Sequence, residues 1–237
     1  MTESKPKPKS KPRPRRAGGE PLSRERILDA AFALVAEQGL AQLSTRKLGQ
    51  RLACQAMSIY HHFPSKHHLL DAMVEHALSS VDIPEPGPDP EARMRRMLES
   101  YRAMARRFPA LYPLVAVHRL NMPAGVRLIE RVLRLIHAAN GGDVELTARQ
   151  FRAIGYYLTG AALDEAAGYA RGPSAAEPVG DAYVAEHCPL LASVAPYFKP
   201  AHWDATWAYG LDALLDRARE DAAARGAPAR RRARSAS

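Results

Sequence analysis

Residues 43–66 read LSTRKLGQRLACQAMSIYHHFPSK, and the expectation for the whole chain grows from this stretch. Ser44 stands where a helix N-cap is favoured, and Leu48 and Leu52 follow one turn apart. A short helix with one apolar face is therefore predicted. About three residues, Ala53-Cys54-Gln55, separate it from a second short helix running roughly from Gln55 to His61, with Ile59 and then Phe63 turned inward. Pro64-Ser65 opens a further helix carrying Leu69, Leu70, Met73 and Val74. Two short helices so closely joined have helix-turn-helix spacing, in which the second enters the major groove of duplex DNA.

The side chains suit that task. Ala56, Met57 and Ser58 are small or flexible, while Tyr60, His61 and His62 offer a hydroxyl and imidazoles. Arg46 and Lys47 begin the preceding helix and Lys66 the following one. A guanidinium there reaches a guanine edge or a phosphate, and a helix N-terminus favours an anion. The tyrosine divides its role, ring packed and hydroxyl toward phosphate. The same segment also suggests a metal cluster of His61, His62, His67 and His68, but no cysteine or carboxylate completes a ligand set at useful spacing.

Working outward, helical periodicity recurs from residue 22 to residue 220 and regular strand alternation does not. Ser23 caps a first helix with Ile27, Ala31, Leu34 and Val35 on one side, ending at Gly39. The run Pro84-Glu85-Pro86-Gly87-Pro88 is a break, and Asp89-Pro90-Glu91 supplies cap, first-turn proline and first-turn acid for a helix to about Arg107. Shorter helices are expected over Ala110–Val117 and from Pro123 to Gly141-Gly142. Thr147 and Gln150 form a capping-box pair for a long helix reaching about Ala170. A Gly/Pro/Ala-rich loop over 172–180, one helix between Val179 and Ala195, and a last helix over about Asp204–Glu220 complete the chain. The fold class is all-α with nine or ten helices. Its expected parts are a three-helix helix-turn-helix head at 21–82 and a helical ligand-binding and dimerisation domain at 89–222.

Composition narrows the function classes. Of 237 residues 46% are hydrophobic, enough for a real core, and the formal charge is +9. That charge belongs to the ends. Lys5, Lys7, Lys9, Lys11, Arg13, Arg15 and Arg16 face only Glu3 and Glu20, and Arg225, Arg230, Arg231, Arg232 and Arg234 face no acid. Residues 1–20 and 223–237 are expected to be disordered basic tails, either attracting phosphates non-specifically or merely solubilising the chain. The uncharged run Ala153–Leu163 falls far short of the ~20 residues of a membrane span, and no apolar stretch follows the basic start as in a secretory signal. Cys54 and Cys188 read as free thiols, so a cytoplasmic location is expected.

The stretch Leu43–Leu48 through Ser58–Lys66 and on to Leu69-Leu70-Asp71 resembles the DNA-binding head of the tetracycline-repressor (TetR) family, and Ile27, Ala31, Leu34 and Gly39 match that family's first helix. The resemblance implies that Thr45, Arg46, Met57, Ser58, Tyr60, His62 and Lys66 lie where members touch bases or phosphates. One departure is Ala53, where a glycine usually makes the turn; a positive φ there would cost ~1 kcal/mol.

In the body, the long helix is rich in small residues (Gly155, Gly160, Ala161, Ala162) beside Ile154, Leu158 and Leu163, and Trp203, Trp207, Leu211, Leu214 and Leu215 stripe the last helix. These surfaces, around 147–170 and 204–220, suggest a four-helix homodimer interface, or the closure of a single chain's core. Two polar residues stand out in the apolar body, His118 and Asp164. The body is similar, over fewer residues, to the ligand domain of the same family. That similarity implies a metal-binding role for His118, with Asp164 near it and Asn121 where threonine is usual. Tyr101, Met104, Phe108, Tyr156 and Tyr157 are candidate pocket walls. The reading is a homodimeric repressor of a palindromic double-stranded operator, with no obligatory cofactor. A small-molecule effector, alone or with a divalent metal, releases it. The rivals are an architectural DNA binder using its tails, and a helical hydrolase, for which no nucleophile motif or phosphate loop is present.

Overall fold

The computed structural model describes residues 21–118, 121–167 and 179–226, and every regular element among them is a helix. The expected basic tails, the 172–180 loop and the end of the long helix at Ala170 lie wholly or largely outside the described residues. In order the helices are α1 (Arg24–Gln38), α2 (Thr45–Arg51), α3 (Ala56–Tyr60), α4 (Lys66–Ser79), α5 (Pro90–Arg107) and α6 (Tyr112–His118). Then follow α7 (Pro123–Ala139), α8 (Val144–Ala167), α9 (Asp181–His187), α10 (Pro189–Val194) and α11 (Trp203–Gly226). None is long and apolar enough to cross a membrane among the described residues.

Caps set the register of the head. The side chains of Ser23, Ser44 and Ser65 accept from the backbone N–H of Arg26, Lys47 and His68, fixing the starts of α1, α2 and α4. Gly39, at φ 82°, ends α1. Ile27, Ala31, Leu34, Leu48, Ile59, Phe63 and Leu69 then form the head's buried centre. The α4 helix belongs to both halves: it packs on α1 of the head and on α6 and α7 of the body, with Met73, Val74 and Ala77 fully buried.

The segment after α4 is strapped down, not free. Val81 and Ile83 are buried, the Asp82 amide donates to Ser100 Oγ at 2.7 Å, Arg96 pairs with the Asp82 carboxylate, and Arg131 donates to the Ile83 carbonyl. Asp89 then caps α5, its carboxylate accepting from the Ala92 N–H at 3.0 Å with Pro90 in the first turn.

Three expectations are corrected. The long helix starts at Val144, before Thr147: Gly141 and Gly142, at φ 61° and 89°, turn the chain so tightly that the Asp143 carboxylate already accepts from the Leu146 N–H. Thr147 is buried inside α8 and its hydroxyl donates to the Asp143 carbonyl. The single helix expected over Val179–Ala195 is two, broken at Cys188 because Pro189 has no N–H to continue it, which brings the described helices to eleven. The last helix runs on past Glu220 to Gly226.

The tryptophan stripe takes the second of the two roles expected of it, with Trp203 and Leu214 left half-buried. Trp207, Leu211 and Leu215 are buried within their own chain, where α11 packs on α5 and α8. The Tyr157 ring stacks on Trp207 with centroids 5.1 Å apart, and its hydroxyl donates to the Trp207 carbonyl at 2.7 Å. Gly210 makes room, since a Cβ there would lie 2.5 Å from the tyrosine ring. Beside them Arg102 forms a fork on Glu165 at 2.7 and 2.9 Å, and Arg106 and Asp204 close a four-charge network. By contrast, residues 179–202 pack on each other and on the start of α11, leaving Tyr183, Leu190, Tyr197 and Phe198 more than half exposed.

Candidate functional site

The two short helices of the head cross through a turn that two residues make possible. Ala53 adopts φ 51°, the left-handed conformation anticipated for a position where glycine is usual. Gly49 does what no other residue can do there: a Cβ would sit 2.8 Å from the Cys54 carbonyl oxygen and 3.5 Å from the Ala56 nitrogen. Sequence reasoning did not single Gly49 out, although a glycine inside a helix costs about 1 kcal/mol and so calls for a packing reason. A second brace holds α2 to α1. Arg51 donates two bonds of 2.7 Å to the Glu37 carboxylate, and this bonding holds the Glu37 carboxyl below its usual range.

With Leu48, Ile59 and Phe63 buried, the opposite surfaces of α2 and α3 face outward together. Met57 is 65% exposed, and Arg46, Tyr60, His61 and Lys66 are also exposed. Thr45, Ala56, Ser58 and His62 are half-buried. The Thr45 and Tyr60 hydroxyls lie 3.3 Å apart, so the first turn of α2 and the last of α3 form one polar edge. Arg46 shares an open depression of about 480 Å³ with Gln50, Gln55 and Ala56. The two glutamines were not foreseen. Lys47 is tied back instead, its ammonium 2.8 Å from Gln38 Oε1 and 2.7 Å from Gln42 Oε1. Through its backbone, His62 accepts from Arg24 at 2.6 Å, while that guanidinium covers the Phe63 ring.

In the body, a cavity of about 50 Å³ lies between α5, α7 and α8, lined by Met97, Tyr101, Leu128, Phe151, Leu158 and Thr159 among others. Of the residues expected to form a pocket, Tyr101 alone lines this cavity; its hydroxyl is 3.2 Å from that of Tyr112. Met104 is core, and Tyr157 is taken up by Trp207, with burial pushing its phenol pKa up. Tyr156 stands 66% exposed and accepts from Arg152. Phe108 lies at the joint of head and body, packed against Phe32 of α1 and His76 of α4 with centroids 5.0 and 6.1 Å away.

The carboxylate beside His118 is Asp71 on α4, 4.0 Å from Nδ1, so this histidine spans from the body to the helix that carries the head. Asn121 is exposed and its N–H donates to the His118 carbonyl; Asp164 is half-buried on α8. No group of three His, Cys, Asp or Glu side chains converges as a metal site among the described residues.

Two family models match the chain: bacterial regulatory proteins of the tetR family over residues 27–73, and the tetracyclin repressor-like C-terminal domain over residues 83–219. The tetracycline repressor protein class A from transposon 1721 of Escherichia coli is 29% identical over 204 residues, which cover 80% of this chain and 87% of that one. Among solved structures, a possible TetR family transcriptional regulator from Streptomyces coelicolor A3(2) superposes with a TM-score of 0.67 at 27% identity, covering 84% of this chain and 99% of that one. TetR from Acinetobacter baumannii AYE gives 0.64 at 26% identity, covering 83% and 96%.

Proposed function

This chain belongs to the tetR family of bacterial regulatory proteins, and from that premise we propose a homodimeric repressor that a small molecule releases from a palindromic operator. Head and body divide near residues 82–89. The exposed edge of α2 and α3 is the face offered to DNA, with Met57 and Ser58 toward the bases, the Tyr60 hydroxyl toward phosphate, and Thr45, Arg46, His61, His62 and Lys66 toward base edges or phosphates. The observation that carries the reading is the 3.3 Å approach of Thr45 to Tyr60, which makes one recognition edge from two crossed helices.

A second copy is required because one head reads one half-site, and the heads of a dimer must meet successive major grooves about 34 Å apart. With Trp207, Leu211 and Leu215 buried inside the chain, the partner meets the outer faces of α8 and α11, where Tyr156 and Tyr209 are 66% and 82% exposed. The effector occupies the interior of the body, with Tyr101 as one wall. Its occupancy moves α6, and the His118–Asp71 contact passes that movement to α4 and so to the spacing of the heads. The site of action is the cytoplasm, with the DNA.

The test is selection of an operator from a random duplex pool, followed by anisotropy titrations. Arg46→Ala and Tyr60→Ala should each weaken specific binding about tenfold or more while sedimentation shows the dimer intact. A chain lacking both basic tails should keep its preference for that operator over random duplex. Unchanged affinity in both point variants would overturn the docking.

A further inference from the structure

At the end of the body where α5 begins, away from the Phe32–Phe108 joint at the end of α5, four helix termini enclose a second cavity. It measures about 280 Å³ and lies between the start of α5, the end of α7, the first turns of α8 and the last turns of α11. Met94, Ala139, Leu215, Ala218 and Ala222 give it carbon walls, and Asp89, Glu91 and Arg219 add charged groups to the lining. One strongly polar group reaches it from a buried position. Asn140 is only 7% exposed, donates from Nδ2 to Gln150 Oε1 at 3.0 Å, and lines the cavity. Its Oδ1 has no hydrogen-bond partner among the described residues. That oxygen keeps some contact with solvent, so a donor on a guest molecule would take the place of water there. The neighbouring polar groups are already engaged: Gln150 reaches Asp221, and the Glu91 carboxylate accepts from Arg219 at 2.5 and 3.0 Å across the rim.

We propose that this cavity is a small-molecule site distinct from the body interior under Tyr101, selective for an uncharged, largely apolar molecule of two aromatic ring systems bearing one hydrogen-bond donor. The size stands near the lower end of small-molecule sites, roughly 300 Å³ upward. The carbon walls disfavour a charged guest, and of the acids in the lining Glu91 is already paired with Arg219 while Asp89 is engaged as the cap on the Ala92 N–H. The donor on the guest answers Asn140 Oδ1. This site does not depend on the repressor reading, since it is defined by cavity chemistry alone.

The probe is N-phenyl-1-naphthylamine, uncharged, with one N–H, and fluorescent when removed from water. Titrated into the full-length protein, it should saturate with one dye per chain. Ala218→Phe fills the cavity from α11 and should weaken the dye at least tenfold, and Ala222→Phe, in the last turns of α11, should do the same should the first variant fail to fold. The N-methyl derivative of the dye, which has no donor, should bind several-fold more weakly to the wild type. Thr159→Phe, which fills the cavity under Tyr101, should leave the titration unchanged. Equal dye affinity in whichever of Ala218→Phe and Ala222→Phe folds, or loss of binding only in Thr159→Phe, overturns the proposal.

Discussion

The Thr45 hydroxyl in the first turn of α2 lies 3.3 Å from the Tyr60 hydroxyl in the last turn of α3. Neither group is needed to fold the head, whose buried centre is built by Leu48, Ile59 and Phe63 behind them. A hydrogen bond between exposed hydroxyls adds little to stability, because water competes for both. Its consequence is orientation: each hydroxyl holds the other in the direction from which a phosphate or base edge would approach. Thr45→Val and Tyr60→Phe should therefore leave the melting temperature nearly unchanged and each weaken operator binding by about 1 kcal/mol. Together they should cost less than the sum, since they share one bond. A double-mutant cycle by anisotropy checks this, and strict additivity would show that the two hydroxyls act independently.

The turn between these helices gives opposite outcomes at two small residues. Gly49→Ala places a methyl 2.8 Å from the Cys54 carbonyl, a backbone atom that cannot rotate away, so the turn must open. A loss of about 1–3 kcal/mol is expected, the usual range for forced overpacking. Ala53→Gly relieves a left-handed alanine at φ 51° and should stabilise by up to about 1 kcal/mol. Thermal unfolding of the two variants should thus shift in opposite directions.

How far the sequence could be read depended on the range of the interaction. Ser23, Ser44, Ser65 and Asp89 act on N–H groups three residues ahead, so their caps were legible from spacing alone, whereas the strained Ala53 was legible only through the resemblance, as the residue standing where a glycine usually makes the turn. Pro189 was equally local, yet the periodicity on both sides of it masked the break at Cys188. Lys47 was assigned to DNA from its place beside Arg46, but Gln38 and Gln42 reach it from the end of α1 and the turn after it, a geometry that only the packing of α1 on α2 creates. The Trp207 stripe announced a buried face without saying what buries it, because a 3.6-residue period is the same for an internal neighbour and a second chain. The meeting of His118 with Asp71, from opposite sides of the joint, leaves no mark in local sequence at all.

Acid should loosen the head through Glu37. Its carboxyl is held below the ordinary value by the hydrogen bonds from Arg51, so the folded form binds a proton less readily than the unfolded chain. That contribution is fully present above the unfolded value, near 4.3, and disappears as pH falls through the lower folded one. Arg51→Ala removes the source of the shift. Urea midpoints of wild type and variant should differ at pH 6 and converge toward pH 3; a constant difference would place the effect of Arg51 elsewhere.

The charge network of the body admits a sharper test, because burial and pairing pull in opposite directions there. Arg102 is 9% exposed, and the Glu165 side chain is 7% exposed. Burial disfavours the charge on Arg102, and the hydrogen bonds and charge of Glu165 more than restore it. Arg102→Met removes half of the fork and leaves Glu165 among apolar neighbours with only the more exposed Arg106 in reach. The expected loss is about 3–5 kcal/mol, most of it the cost of the stranded carboxylate and not the worth of the pair. If so, Glu165→Leu added to Arg102→Met should recover most of the loss, since the carboxylate is then gone and α5, α8 and α11 meet through carbon. A double variant as unstable as Arg102→Met alone would mean that the arginine acts mainly through the Trp207 ring it covers, 4.8 Å from the centroid, and unfolding by urea distinguishes the two.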